Sequence, residues 1–317
     1  MRAFLRLVVI EHSIFALPFA FLAALTAMAR PLSCFDPHPL FHGPAEFFDI
    51  LSAGGDPSCT GLDIVQWRVL GLITVAMVAA RTFAMAANRL IDREIDARNP
   101  RTAQRELVTG VVSRSTAMAG AFVALAVFLV AAAALGPLPL VLAPLAVLPL
   151  IGYPYAKRVT DFPHAVLALA QAVAPIGAWI AVTGHWSWSA VILGLAVGLW
   201  IGGFDLIYAC QDAEVDRVIG VRSVPARFGV RTALIASAVV HAVTFALFLW
   251  FGVREDFGPW WYVGLAITAV AFCYEHAIVR PSDLSRVTRS FFTTNGFVGI
   301  ALFGFGLVDL LTRGAPS

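Results

Sequence analysis

Residues 188–216 read WSAVILGLAVGLWIGGFDLIYACQDAEVD. The first part is apolar and long enough to cross a bilayer as a helix. The stretch then closes on three carboxylates spaced Asp205-x6-Asp212-x3-Asp216. Acids at such a position are expensive to place and call for a task. The economical task is to hold a divalent metal ion against a highly charged substrate at a membrane face. A second stretch repeats the arrangement, with the apolar run 66–88 closing on Asn88-x3-Asp92-x3-Asp96.

The rest of the chain agrees with a membrane setting. Of its 317 residues, 59% are hydrophobic and only 13% charged, and the mean hydropathy is +0.82. Soluble domains carry about 25% charged residues, so a soluble globular class is excluded. Apolar runs predict about nine spanning helices, at 8–29, 66–88, 115–134, 138–152, 165–183, 188–210, 231–251, 259–279 and 290–311. The expected fold is all-α, a polytopic membrane bundle forming a single domain over residues 1–317. The fourth run carries Pro139, Pro144 and Pro149 and is expected to be short or bent.

With the N-terminus in the cytoplasm, alternating loops collect the cations inside. Of 22 Lys and Arg, only Arg30, Arg68, Arg81, Arg254 and Arg313 fall elsewhere. That asymmetry sets the orientation and puts both acidic clusters on the cytoplasmic side. The expected location is a bacterial-type plasma membrane. Arg2, Arg6 and Ala27-Met28-Ala29 resemble a signal peptide, but Glu11 and His12 interrupt its apolar core, so a retained first helix is expected. Cys34 and Cys59 share the outer loop, about residues 30–65, where they could form a disulfide; Cys210 and Cys273 read as packing residues within helices.

On a helix, residues i and i+4 share a face. Asn88, Asp92 and Asp96 therefore form one stripe, and Asp205, Asp212 and Asp216 another. Solvated loop acids paired with Arg89 and Arg93 would be the plainer reading of one cluster alone. Two clusters at matching helix ends favour facing carboxylates that hold Mg2+ with substrate phosphate. Arg81 lies two turns before Asn88, deeper on the same stripe, where a guanidinium could clamp a carboxylate; a structural ion pair with Asp205 is the alternative. Tyr153-x3-Lys157-Arg158 opens the loop after the fourth run and offers cations to phosphate. Arg101, Arg105, Arg222 and Arg227, in the loops just after the acidic clusters, are further candidates for phosphate, although topology alone is the favoured reading for most of them.

These segments carry a family resemblance. NRLIDREIDARNPRTAQRELVTG (88–110) resembles the first signature of the UbiA intramembrane prenyltransferases. FDLIYACQDAEVDRVIGVRSVPARFG (204–229) resembles the second, with Asp205, Tyr208, Asp212, Asp216, Gly220 and Ser223 in place. YPYAKR (153–158) resembles the Tyr-x3-Lys element between them. The resemblance implies Mg2+-dependent transfer of a polyprenyl group from its diphosphate to an aromatic acid. It is greatest to members that use 4-hydroxybenzoate in respiratory quinone synthesis, with a dihydroxynaphthoate of menaquinone synthesis as the alternative acceptor.

The implied roles are specific. Asp92, Asp96, Asp212 and Asp216 would bind Mg2+, and Asn88 would assist the metal or the acceptor. Tyr153, Lys157 and Arg158 would attend the diphosphate, and Arg81 the acceptor carboxylate. No histidine is placed to remove the ring proton, so Asp205 or the diphosphate itself is the candidate. The loops after the second and sixth spans would form a cytoplasmic cap. The implied partners are the polyprenyl diphosphate, the aromatic acid and the lipid bilayer, with no nucleic acid; the oligomeric state stays open. A cation-coupled transporter is the competing class, because membrane acids also mark ion paths.

Overall fold

The computed structural model describes residues 16–29 and 65–312. The described chain is helical, with one isolated bridge between Arg280 and Asp283. Its principal helices are α1 (Leu17–Met28), α2 (Trp67–Ile91), α3 (Arg114–Leu135), α4 (Pro137–Val159), α5 (Pro163–Thr183), α6 (Trp188–Ala209), α7 (Val230–Arg254), α8 (Pro259–Ile278) and α9 (Asn295–Thr312). Among the described residues, the eight from α2 to α9 are long and apolar enough to cross a membrane. The first expected span is described only from residue 16, as the 12-residue α1. Cys34 and Cys59 lie outside the described residues. Cys210 is buried just past α6, whereas Cys273 is exposed on α8 rather than packed.

α4 departs from expectation. It runs for 23 residues and takes Pro144, Pro149 and Pro154 into its interior. Each proline removes one N–H, yet in an apolar span the surrounding backbone has no better option than helix. Tyr153, Lys157 and Arg158 therefore belong to the end of α4 and not to a loop. Local signals set the other ends. Gly184 closes α5 in a left-handed conformation, φ 72°, with its N–H bonded to the Ile180 carbonyl. Ser187 then caps α6 by accepting from the Ser189 N–H.

The most enclosed of the long helices is α6. It meets α5 along Gly194, Gly198 and Gly202, spaced four apart on one face. A Cβ at Gly194 would lie 2.5 Å from the Ala172 carbonyl oxygen, and one at Gly198 closer still to that of Ala168. At Gly202 the neighbour is the His164 carbonyl oxygen, at 3.1 Å. Small residues let membrane helices approach to backbone contact. The other side of α6 is tied through polar groups: Trp200 Nε1 donates to Asn295 Oδ1 (2.8 Å), and Asn295 Nδ2 donates to Glu275 Oε1 (2.8 Å). In apolar surroundings such a bonded network fixes α6, α8 and α9 together.

Gly198→Val overpacks the α5–α6 seam. The expected loss of stability is about 1–3 kcal/mol, read as a lower midpoint of thermal unfolding in detergent micelles. An unchanged midpoint would show that the seam has slack.

Candidate active site

Both acidic stripes face one cavity of about 260 Å³. α2 contributes Arg81 and Asn88, and the segment after it contributes Asp92, Asp96, Asn99, Arg101 and Arg105. Tyr153 and Lys157 come from α4, His164 and Gln171 from α5, and Asp205 and Tyr208 from α6. Asp212 follows in a 3-10 turn, and Asp216 in the short helix Ala213–Ile219. The helical stripe survives its interruption at Asp92, because the Asp92 N–H bonds to Asn88 O and the Asp96 N–H to Asp92 O, both at 2.8 Å. The seven-residue step from Asp205 to Asp212 likewise keeps both acids on the cavity.

The acids are not solvated loop residues. Asp92 and Asp96 are buried, and each has a cation other than Arg89 or Arg93. Lys157 Nζ lies 2.7 Å from Asp92 Oδ2, and Arg105 Nη1 lies 2.5 Å from Asp96 Oδ1. Arg101 Nε donates to Asp212 Oδ1 at 2.9 Å, joined by Asn99 Nδ2 at 3.0 Å. The segment after α2 thereby meets the segment after α6. Burial alone would lower the Arg101 pKa, but its bonds and attraction to Asp212, with Tyr208 beside it, hold it above the ordinary arginine value. Ser223 Oγ donates to Asp216 at 3.4 Å. The arginines read as topology residues are thus, at 101 and 105, part of the site.

Arg81 is half-buried, and its Nε, itself buried, makes no hydrogen bond among the described residues. It does not pair with Asp205, which instead accepts from His164 Nδ1 at 2.7 Å. Arg81 also lines a second, apolar cavity of about 180 Å³. Arg81, Ala84, Leu150, Ala170 and Gln171 belong to both walls, so a polar chamber and an apolar one meet at this guanidinium. Arg158 does not line the chamber, but its Nη2 lies 3.8 Å from Asp92 Oδ1. The same Nη2 donates to the Ile91 carbonyl (2.7 Å) and so straps α4 to the end of α2.

The donor set suits a hard divalent cation, since it consists of carboxylate and amide oxygens. Asp92 Oδ1 is buried without a hydrogen bond among the described residues, with the Arg158 guanidinium 3.8 Å away, so it keeps a lone pair for a metal ion. Among the described residues no three acids, histidines or cysteines gather tightly enough to enclose an ion. Two separated rows fit ions shared with substrate phosphate better than an all-protein cage. Few aromatics among the described residues face the polar chamber: Tyr153, Phe204 and Tyr208. Lys157 Nζ sits 5.0 Å from the Tyr153 ring centre, and the Arg101 guanidinium 5.2 Å from that of Tyr208.

Comparison with known proteins agrees with this arrangement. The model of the UbiA prenyltransferase family matches residues 58–297. The 4-hydroxybenzoate octaprenyltransferase of Nitrosococcus oceani is 33% identical over 249 residues, 77% of this chain and 85% of that protein. The 4-hydroxybenzoate solanesyltransferase of Synechocystis is 32% identical over 244 residues, 77% of this chain and 83% of its own. The apo structure of a UbiA homologue from Aeropyrum pernix superposes with a TM-score of 0.77 at 32% identity, covering 95% of this chain and 98% of that one. A UbiA homologue from Archaeoglobus fulgidus, bound to DMAPP and Mg2+, shares the fold at 18% identity, with a TM-score of 0.66 over 97% of this chain and 99% of the other. Matched by the family model over most of its length, and carrying both acidic signatures on one chamber, this integral membrane protein belongs to the UbiA prenyltransferase family.

Proposed function

We propose that this prenyltransferase moves a polyprenyl group from polyprenyl diphosphate to the ring of 4-hydroxybenzoate, with Mg2+, for respiratory quinone synthesis. The observation that carries the reading is the buried Arg81 Nε, without a hydrogen bond among the described residues, where the acidic chamber meets the apolar one. A buried guanidinium N–H without an acceptor is costly, and a carboxylated acceptor would relieve it. The apolar cavity suits the isoprenoid, and the polar one its diphosphate. The relatives named for 4-hydroxybenzoate support this acceptor. Family membership displaces the transporter alternative.

The residues divide the work. Asp92, Asp96, Asp212 and Asp216, with Asn88 beside them, would hold Mg2+, as the Mg2+-bound homologue suggests. When bound, the ion supplies positive charge to the departing diphosphate. Lys157, Arg101 and Arg105 line the same chamber and add fixed cations for the leaving group. Tyr153 and Tyr208 offer aromatic faces to an allylic cation, and the enclosing helices keep water from trapping it. The distribution of Lys and Arg supports a chamber on the cytoplasmic side, and the bacterial relatives support a bacterial plasma membrane. In this reading the segments after α2 and α6 form a cap, and the whole chain is one transmembrane domain.

The deciding assay supplies purified protein with Mg2+ and labelled polyprenyl diphosphate. It offers 4-hydroxybenzoate, 1,4-dihydroxy-2-naphthoate and phenol in turn. Prenylated 4-hydroxybenzoate at the highest kcat/KM is expected. Preference for the naphthoate would move the enzyme to menaquinone synthesis, and no prenylated product from any ring would sink the proposal.

A further inference from the structure

His164 occupies the first turn of α5, directly after Pro163, and is buried on the wall of the acidic chamber. Its Nδ1 lies 2.7 Å from Asp205 Oδ2. An ionised carboxylate can only accept, so in this pair Nδ1 carries the proton. In that tautomer the ring lone pair falls on Nε2. That Nε2 is buried and, among the described residues, has no hydrogen-bond partner. A basic nitrogen oriented by a carboxylate and left unsatisfied beside a reaction chamber has the arrangement of a general base.

We infer that His164 accepts the ring proton released when the aromatic acceptor is prenylated, with Asp205 as its positioning partner. The inference rests on the proposed aromatic prenyl transfer. As the ring carbon ortho to the hydroxyl bonds to C1 of the prenyl group, the C1–O bond breaks and diphosphate leaves with that electron pair. The ring now carries the positive charge and one hydrogen too many. The C–H electron pair returns to the ring, and the proton passes to His164 Nε2. Asp205 stabilises the resulting imidazolium, which then gives its proton to released diphosphate or to water.

The pairing also explains the position of Asp205. It faces the chamber on α6 but is held by a histidine from the neighbouring helix, whereas Asp92, Asp96 and Asp212 are held by Lys or Arg. The backbone-to-backbone seam at Gly202 sets the two partners opposite one another, since Gly202 touches the His164 carbonyl.

The test uses 4-hydroxybenzoate deuterated at both carbons ortho to its hydroxyl, full-length enzyme and polyprenyl diphosphate. For His164→Gln, kcat should fall about 100-fold, the low end of what a positioned base contributes. A primary isotope effect absent from the wild type should appear as proton loss becomes limiting. Affinity for a non-hydrolysable thio analogue of the prenyl diphosphate should stay unchanged. Asp205→Asn should show the same isotope signature with a smaller drop in kcat. Undiminished kcat in His164→Gln overturns the assignment. So does a drop that comes with lost analogue binding and no isotope effect, because that marks a structural histidine. A wild-type enzyme that prenylates neither labelled nor unlabelled ring would instead bring down the functional reading itself.

Discussion

Asp92→Asn reduces diphosphate release by about 1000-fold or more, the scale on which a preorganised charge in a water-excluded site acts. Asparagine keeps an oxygen for the Lys157 ammonium, 2.7 Å from the native carboxylate, but brings no negative charge to a metal ion. Folding should therefore survive, and the variant should elute as the wild type does in size-exclusion chromatography. Asp212→Asn should do the same, since Asn99 and Arg101 can still bond its oxygen. Release is measured with the labelled donor at saturating Mg2+ and again across a Mg2+ titration. Near-normal turnover in either variant would remove that residue from the metal site. Asp283→Asn, on the exposed turn after α8, serves as the control and should leave turnover unaltered.

The second large effect concerns the acceptor. Arg81→Ala should lower kcat/KM for 4-hydroxybenzoate by about 1000-fold, which corresponds to about 4 kcal/mol for a buried charge pair cut on one side. Transfer to phenol, which brings no carboxylate, should change far less. The contrast matters more than either number. An equal loss on both acceptors would mean that Arg81 supports the wall between the two cavities and recognises nothing. Arg81→Lys separates charge from shape: an ammonium cannot reproduce the two parallel bonds of a guanidinium, so only partial recovery is expected.

Much of this architecture is legible in the chain because the bilayer imposes length and polarity together. The runs 66–88 and 188–210 lie within a few residues of α2 and α6, and both acidic stripes meet as their spacing predicts. α4 is longer than expected because prolines read as breakers, whereas a helix surrounded by hydrocarbon keeps its remaining backbone bonds for want of water. The roles of Arg101 and Arg105 were hidden for another reason. Inside-loop arginines occur for topology alone, and only the folded loop shows which acid each one meets. His164 was harder still. It stands alone between a proline and an apolar helix, 41 residues from Asp205. The one local signal was on the partner helix, in the four-residue spacing of Gly194, Gly198 and Gly202, which announces a close neighbour without naming it.

That glycine spacing limits how the enzyme can diverge. Where side chains separate two helices, successive substitutions of slightly different size can widen or narrow the gap by small steps. Here α5 and α6 meet through main-chain atoms, so every substitution on the α6 side adds bulk and none removes it. The placement of the His164–Asp205 pair on the chamber wall is therefore nearly frozen in any descendant that keeps the seam. Drift in acceptor preference is channelled to the α2 wall, around Arg81 and Ala84, where ordinary side chains can be exchanged without moving a helix.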